Sequence, residues 1–244
     1  MLATALPSFD PVAAAMALRG EDGFIWFDSA APEHPGAKYS YICVWPVDRL
    51  RLETSVEAAK TLRNWIGRGA ISRIEGGAPF QGGAAGYLSY EFAAAFLERF
   101  RSRHRAAPNV TAEFGFYDTV IAFDHGAARA HVYSAGLSAK GAVPDNDLAM
   151  EKIRRLKEIL TAPITPLPPA EKLNWVPRSP PGSYQSSVSQ VQEYIRDGDI
   201  YQANIAGLWT AEPLGTEAAF AHYLKGRESS PAPFSGFGVF EERT

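Results

Sequence analysis

Gly198-Asp199-Ile200-Tyr201-Gln202-Ala203-Asn204-Ile205 is the stretch on which the reading of this chain turns. Ahead of it, Tyr184, Val188, Val191, Tyr194 and Ile195 recur at the spacing of one helical face, and Ser183 stands where a cap belongs. The pattern breaks at Asp197-Gly198-Asp199, where glycine can take the left-handed conformation that closes a helix. Ile200 to Trp209 then reads as a strand. A strand that turns a glutamine and an asparagine inward is hard to explain by packing alone, because each buried amide must find hydrogen-bond partners.

Working outward, Phe24 to Phe27 and Tyr39 to Val44 read as strands, and Ser55 is placed to cap a helix from Val56 to Ile66. Gly82 to Tyr90 is a glycine-rich strand whose glycines permit close backbone approach. Asp118 to Phe123 and Ala130 to Tyr133 alternate like paired strands joined by a turn at Asp124-His125-Gly126. Asp147 to Leu160 has the pattern of an amphipathic helix. Pro163, Pro166, Pro168, Pro169, Pro177, Pro180 and Pro181 mark residues 161–182 as a linker or crossover between an N-terminal region, 1–160, and a second region, 183–244.

The 244 residues are 46% hydrophobic and 12% aromatic, enough for a large core in one domain or two. A net charge of −3 and the lack of a long basic run exclude the electrostatic footprint of a nucleic-acid or anionic-membrane binder. The single cysteine, Cys43, cannot form an internal disulfide and sits in an apolar strand pattern, as a core residue does. Asp10 and the absence of a sustained apolar run argue against a signal peptide or a membrane span, so a soluble cytoplasmic protein is expected. His34, His104, His125, His131 and His222 show no metal-ligand spacing. Gly82-Gly83 with Gly86 lacks the Gly-Lys-Ser/Thr ending of a phosphate loop.

The opening stretch resembles the "GDIFQxNLS" signature of the chorismate-utilising enzymes, and four further segments follow in family order. Phe80-Gln81-Gly82-Gly83-Ala84-Ala85-Gly86-Tyr87-Leu88-Ser89-Tyr90-Glu91 is similar to "PFxGGxxGYLxYE". Phe27-Asp28-Ser29 with Lys38-Tyr39-Ser40-Tyr41-Ile42 and Pro46 is similar to "DS…RYSYI…P". Tyr117-Asp118 through Asp124-His125 resembles "YDxVxxFDH", and Ser230-Pro231-Ala232-Pro233-Phe234 resembles "NPxPF". Within the group the chain looks most like component I of aminodeoxychorismate synthase, with component I of anthranilate synthase as a close relative. Gln202-Ala203-Asn204 and the compact Tyr117 to Tyr133 hairpin favour the former.

The resemblance implies an α+β fold, the N-terminal portion of an α/β sandwich with large antiparallel sheets, with residues 183–244 opening the chorismate-binding domain. It implies amination of chorismate by ammonia from a separate glutamine amidotransferase subunit, with Mg²⁺ holding the substrate carboxylate. The family's acid-base, metal and substrate-binding residues correspond to positions beyond Thr244. The chain is therefore expected to be the N-terminal part of such a protein and inactive alone. Relatives that hydrate chorismate carry a lysine base where Gln202 stands. An amide is no base near neutral pH but can position a nucleophile that is already competent. The resemblance also implies a tryptophan-type pocket at Ser29, Tyr39, Ser40, Pro233 and Phe234, with the rings packing on an aromatic ligand and Ser29 bonding its polar end. Phe27-Asp28-Ser29 departs from the "LLES" of anthranilate synthases, which puts feedback regulation in question. The basic cluster Arg99, Arg101, Arg103, His104 and Arg105 is a candidate surface for the amidotransferase. The competing class is a non-catalytic module that keeps the aromatic-ligand pocket or a partner surface.

Overall fold

The computed structural model describes residues 1–31, 33–53, 55–69, 71–96 and 110–240. The basic cluster from Arg99 to Arg105 lies outside them. The chain divides into two units, residues 1–167 with 223–244, and residues 168–222. Among the described residues no helix is long and apolar enough to cross a membrane.

The larger unit is a mixed α/β structure built on two antiparallel sheets. Its first sheet contains β1 (Leu2–Ala5), β2 (Ile25–Asp28), β3 (Tyr39–Cys43), β7 (Thr119–Asp124), β8 (Arg129–Ser134) and β11 (Ser235–Gly238), in the order β1-β8-β7-β3-β2-β11. Its second contains β4 (Asp48–Glu53), β5 (Gly83–Leu88) and β6 (Val110–Tyr117), with β6 in the middle. The sheets share a core in which Ile25, Cys43 and Val120 of the first pack with Ala85 and Tyr117 of the second. Tyr117, inward on β6, donates its hydroxyl to the Gly23 carbonyl at 2.7 Å and so ties the second sheet to the entry of β2.

Helix α1 (Pro11–Leu18) starts where Asp10 accepts a hydrogen bond from the Ala13 N–H and proline occupies the first turn. Helix α2 (Ala58–Gly67) begins two residues later than the sequence reading placed it. Ser55 closes the preceding turn with its backbone carbonyl instead of capping the helix with its side chain. Helix α3 (Asn146–Thr161) is capped by Asp145 and lays Ala149, Ile153 and Leu156 inward, packing against α1, β1, β7 and β8. The fully buried carboxylate of Asp118, at the β6–β7 junction, accepts from the Leu137 N–H at 2.7 Å and from Lys152 of α3 at 2.8 Å. The helix is thereby anchored to the sheet by charge as well as by apolar contact.

In the smaller unit, α4 (Ser183–Asp197) forms as its spacing requires and ends at Gly198 with φ 83°, whose N–H returns to the Ile195 carbonyl while that of Asp199 returns to Tyr194. Its start differs from the sequence reading. Gly182, left-handed at φ 81°, is the capping position, and Ser183 is already helical, its hydroxyl donating to the Pro180 carbonyl. The apolar stripe of α4 is formed but carries no buried residue.

The strand expected over Ile200 to Trp209 is the main correction. Only β10 (Trp209–Thr210) forms, paired with β9 (Val176–Pro177), and Ile200 to Leu208 is irregular. A strand exists only where a neighbour accepts its ladder, and this neighbour is two residues long and includes a proline without an N–H. With no sheet there is no inward face, so Gln202 and Asn204 are exposed. A 3-10 helix over Tyr90–Ala95 and helix α5 (Thr216–Ser229) complete the described elements.

Candidate functional site

In the larger unit, the end of β2, the start of β3, the middle of β5 and the approach to β11 enclose an open cavity of about 500 Å³. Each wall has a local cause. The alternation of β3 points Tyr39 and Tyr41 to one side, where their rings stack at 5.9 Å and 18°. Phe80 meets Tyr41 edge-on at 5.7 Å. The small residues Ala84 and Ala85 of β5 leave the floor open, and Phe27, Pro233 and Phe234 form the rim, with Phe234 80% exposed. A flat apolar body with one polar end fits these walls.

The Phe80 wall is held by the segment before it. Gln81, buried, accepts from the Ile74 N–H at 2.7 Å and donates to the carbonyls of Ile74 and Ala78 at 2.9 and 3.1 Å. Gln81→Ala is expected to cost about 2 kcal/mol, since it leaves buried backbone groups without partners. Urea denaturation checks this, and a change below about 0.5 kcal/mol would mean that the segment holds itself.

Four of the five residues assigned to the pocket from sequence line it: Ser29, Tyr39, Pro233 and Phe234. The fifth, Ser40, is fully buried behind Ser29 and accepts the Ser29 N–H at 3.0 Å. The Ser29 hydroxyl lies 2.7 Å from the Tyr39 carbonyl and 2.9 Å from the Pro233 carbonyl, so its one proton clamps β3 and the approach to β11. Beside it, the Asp28 carboxylate is buried and accepts from Arg227 Nε at 2.7 Å, Arg227 Nη2 at 3.3 Å and the Tyr223 hydroxyl at 3.0 Å. Lys38, Tyr41, Phe80 and Phe27 also line the cavity. They were not assigned from sequence, although each stands inside or beside a quoted segment.

Burial pushes the Tyr41 phenol up to about 12. Burial, then Asp124, raises Tyr39 as well, so both hydroxyls stay protonated at neutral pH. Ser29 spends its proton on backbone carbonyls and has no base at hand. The serine that does meet an imidazole, Ser40 at 2.8 Å from His125 Nε2, is out of reach of any substrate. Among the described residues no group of three or more His, Cys, Asp or Glu is placed to hold a metal ion. The described side chains offer no such set for the magnesium that the family resemblance implies. Gln202 lies in the smaller unit, exposed.

Two antiparallel sheets sharing one core with helices against them define a fold with solved counterparts. Anthranilate synthase component I from Streptococcus pneumoniae superposes with a TM-score of 0.64 at 22% identity, covering 82% of this chain and 47% of that one. The description of the family model that matches residues 22–244 is chorismate binding enzyme. This chain belongs to that family. Similar proteins include anthranilate synthase component 1 of Bacillus caldotenax, 28% identical over 92% of this chain and 50% of that protein. Aminodeoxychorismate synthase component 1 of Escherichia coli is 23% identical over 88% of this chain and 47% of that protein. The chain thus spans between about a third and half of the length of the curated relatives it matches, most of which carry the anthranilate synthase name.

Proposed function

We propose that this chain is part of a cytoplasmic synthase component that aminates chorismate, and that its product is anthranilate. The observation that carries the reading is the family match over residues 22–244, and the names of most relatives favour anthranilate over the aminodeoxychorismate suggested by the motifs. In the proposal a glutamine amidotransferase subunit supplies ammonia, magnesium is held by residues other than those described, and Gln202 orients the incoming ammonia by hydrogen bonds without acting as its base. The cavity beside Ser29 takes an aromatic amino acid of the tryptophan type. Aminodeoxychorismate synthesis is the second reading, supported by Gln202-Ala203-Asn204 and by the Escherichia coli relative.

The complete gene product, given chorismate, ammonia and Mg²⁺, is expected to release anthranilate, identified by mass and fluorescence. Aminodeoxychorismate instead would install the second reading. No consumption of chorismate by the complete protein would remove the catalytic assignment and leave a ligand-binding module.

A further inference from the structure

The Ser40 hydroxyl sits at a node whose protons can be counted. It accepts the Ser29 N–H at 3.0 Å and lies 2.8 Å from His125 Nε2, and its residue has no exposed surface. A hydroxyl has one proton to give. Among the described residues His125 Nε2 is an acceptor within hydrogen-bond distance of Ser40 Oγ, and the arrangement that gives the Ser40 proton a partner is the neutral His125 tautomer with its own proton on Nδ1. The donor chain therefore runs from the Ser29 N–H to Ser40 and from Ser40 to His125. At its head, the Ser29 hydroxyl clamps the two backbone segments that frame the cavity.

We propose that His125 is a positioning residue of this pocket, holding Ser29 in register through Ser40 only while its ring is neutral. Protonation turns Nε2 into a donor. Ser40 Oγ then faces two donors, Ser29 N–H and His125 Nε2–H, and its own proton has nowhere buried to go. The node relaxes by swinging Ser40 or His125 away, which frees the Ser29 backbone and loosens the clamp at the rim.

The surroundings of the ring hold it in place and move its protonation to lower pH. Its backbone N–H is fixed to the Lys38 carbonyl at 2.9 Å, and Phe9 meets the ring edge-on at 5.5 Å, so the imidazole is held in place. Burial lowers its proton affinity first. Asp28 at the end of β2 raises it, Arg227 of α5 lowers it, and Asp124 on its own hairpin raises it. Lys38, Asp10 and Arg129, the register partner of Asp124 across the hairpin, are further charged residues on the neighbouring segments. A histidine held below its unfolded value takes up its proton first in the unfolded chain. The stability it contributes is therefore full above the ordinary histidine range and is lost as pH falls through that range toward the folded value.

The inference rests on the reading of the cavity as an aromatic-ligand site, and two readouts on the 244-residue chain separate them. In the first, the Ser29 backbone amide is followed by NMR as His125 is titrated. The amide is expected to move with the midpoint of the His125 ring in the wild type and to lose that response in His125→Gln, which keeps an acceptor but does not titrate. A Ser29 amide indifferent to the His125 titration overturns the proposal. In the second, L-tryptophan is the calorimetric probe. Its affinity is expected to fall about tenfold from pH 8 to a pH below the His125 midpoint, and to stay flat in His125→Gln, which also controls for acid unfolding. Tryptophan affinity equally pH-dependent in His125→Gln overturns the role of the ring. If Ser29 follows His125 but tryptophan binds at no pH, the positioning role is supported and the ligand assigned to the cavity is wrong.

Discussion

Arg227→Ala is expected to lower the stability of the chain by about 3–5 kcal/mol, more than Asp28→Ala does, because the two partners are unequally buried. The Asp28 side chain has no exposed surface, whereas that of Arg227 is 21% exposed. Removing the arginine strands a carboxylate in the interior with one remaining donor, the Tyr223 hydroxyl at 3.0 Å. Removing the aspartate frees a guanidinium that already touches solvent and lies 5.6 Å from the Trp26 ring, where it keeps a cation–π contact. Arg227→Lys should fall between, since an ammonium restores the charge but not the two-point fork on Asp28. Asp28 adjoins Ser29 and pairs in register with Ser235 of β11, so the loss should also open the β2–β11 edge and the rim of the cavity. Equilibrium urea unfolding of the three variants gives the order. A loss under 1 kcal/mol for Arg227→Ala, or a larger loss for Asp28→Ala, would contradict the account.

Gly86→Ala is the second large effect, about 3 kcal/mol, at the upper end of what overpacking costs. A Cβ built on Gly86 lies 2.1 Å from the Glu113 carbonyl oxygen and 2.7 Å from the Phe114 Cα. Both are backbone atoms of β6, the strand on which Gly86 is paired with Phe114, so no side chain can rotate away to make room. The strands must separate locally, with loss of hydrogen-exchange protection along β5 and β6. Gly20→Ala, where an added Cβ meets nothing within 4 Å, serves as the comparison and should be close to neutral. Retained protection in β5 of the Gly86 variant would show that the sheet yields more cheaply than its geometry implies.

The same glycine marks how far local reading reaches. That close backbone approach is the purpose of the Gly82 to Tyr90 run was legible from residue type, as were the hairpin of β7 and β8, helix α3, and the left-handed stop at Gly198. These depend on neighbours within a few positions. The short strand β1, helix α1 and strands β4 and β6 had no pattern strong enough to be read, because each is short or flanked by weak signals and is stabilised by what it packs on. The Ile200 to Trp209 segment shows the reverse failure. Its composition suits a strand, but composition cannot supply the neighbour that a strand needs.

The residue sequence by itself pointed to segments that line the cavity, with Ser29, Tyr39, Pro233 and Phe234 in its walls and Ser40 buried behind them. It also determined the family, through motifs that keep their order along the chain. Only the tertiary structure decided that Ser29 hands its proton to a carbonyl 204 positions away, that Ser40 lies behind the pocket wall instead of in it, and that His125 meets Ser40 there. The physical reason is that hydrogen-bond partners across a sheet are chosen by the register of strands far apart in sequence. That register is set by the total burial of both sheets, which no local window of residues contains.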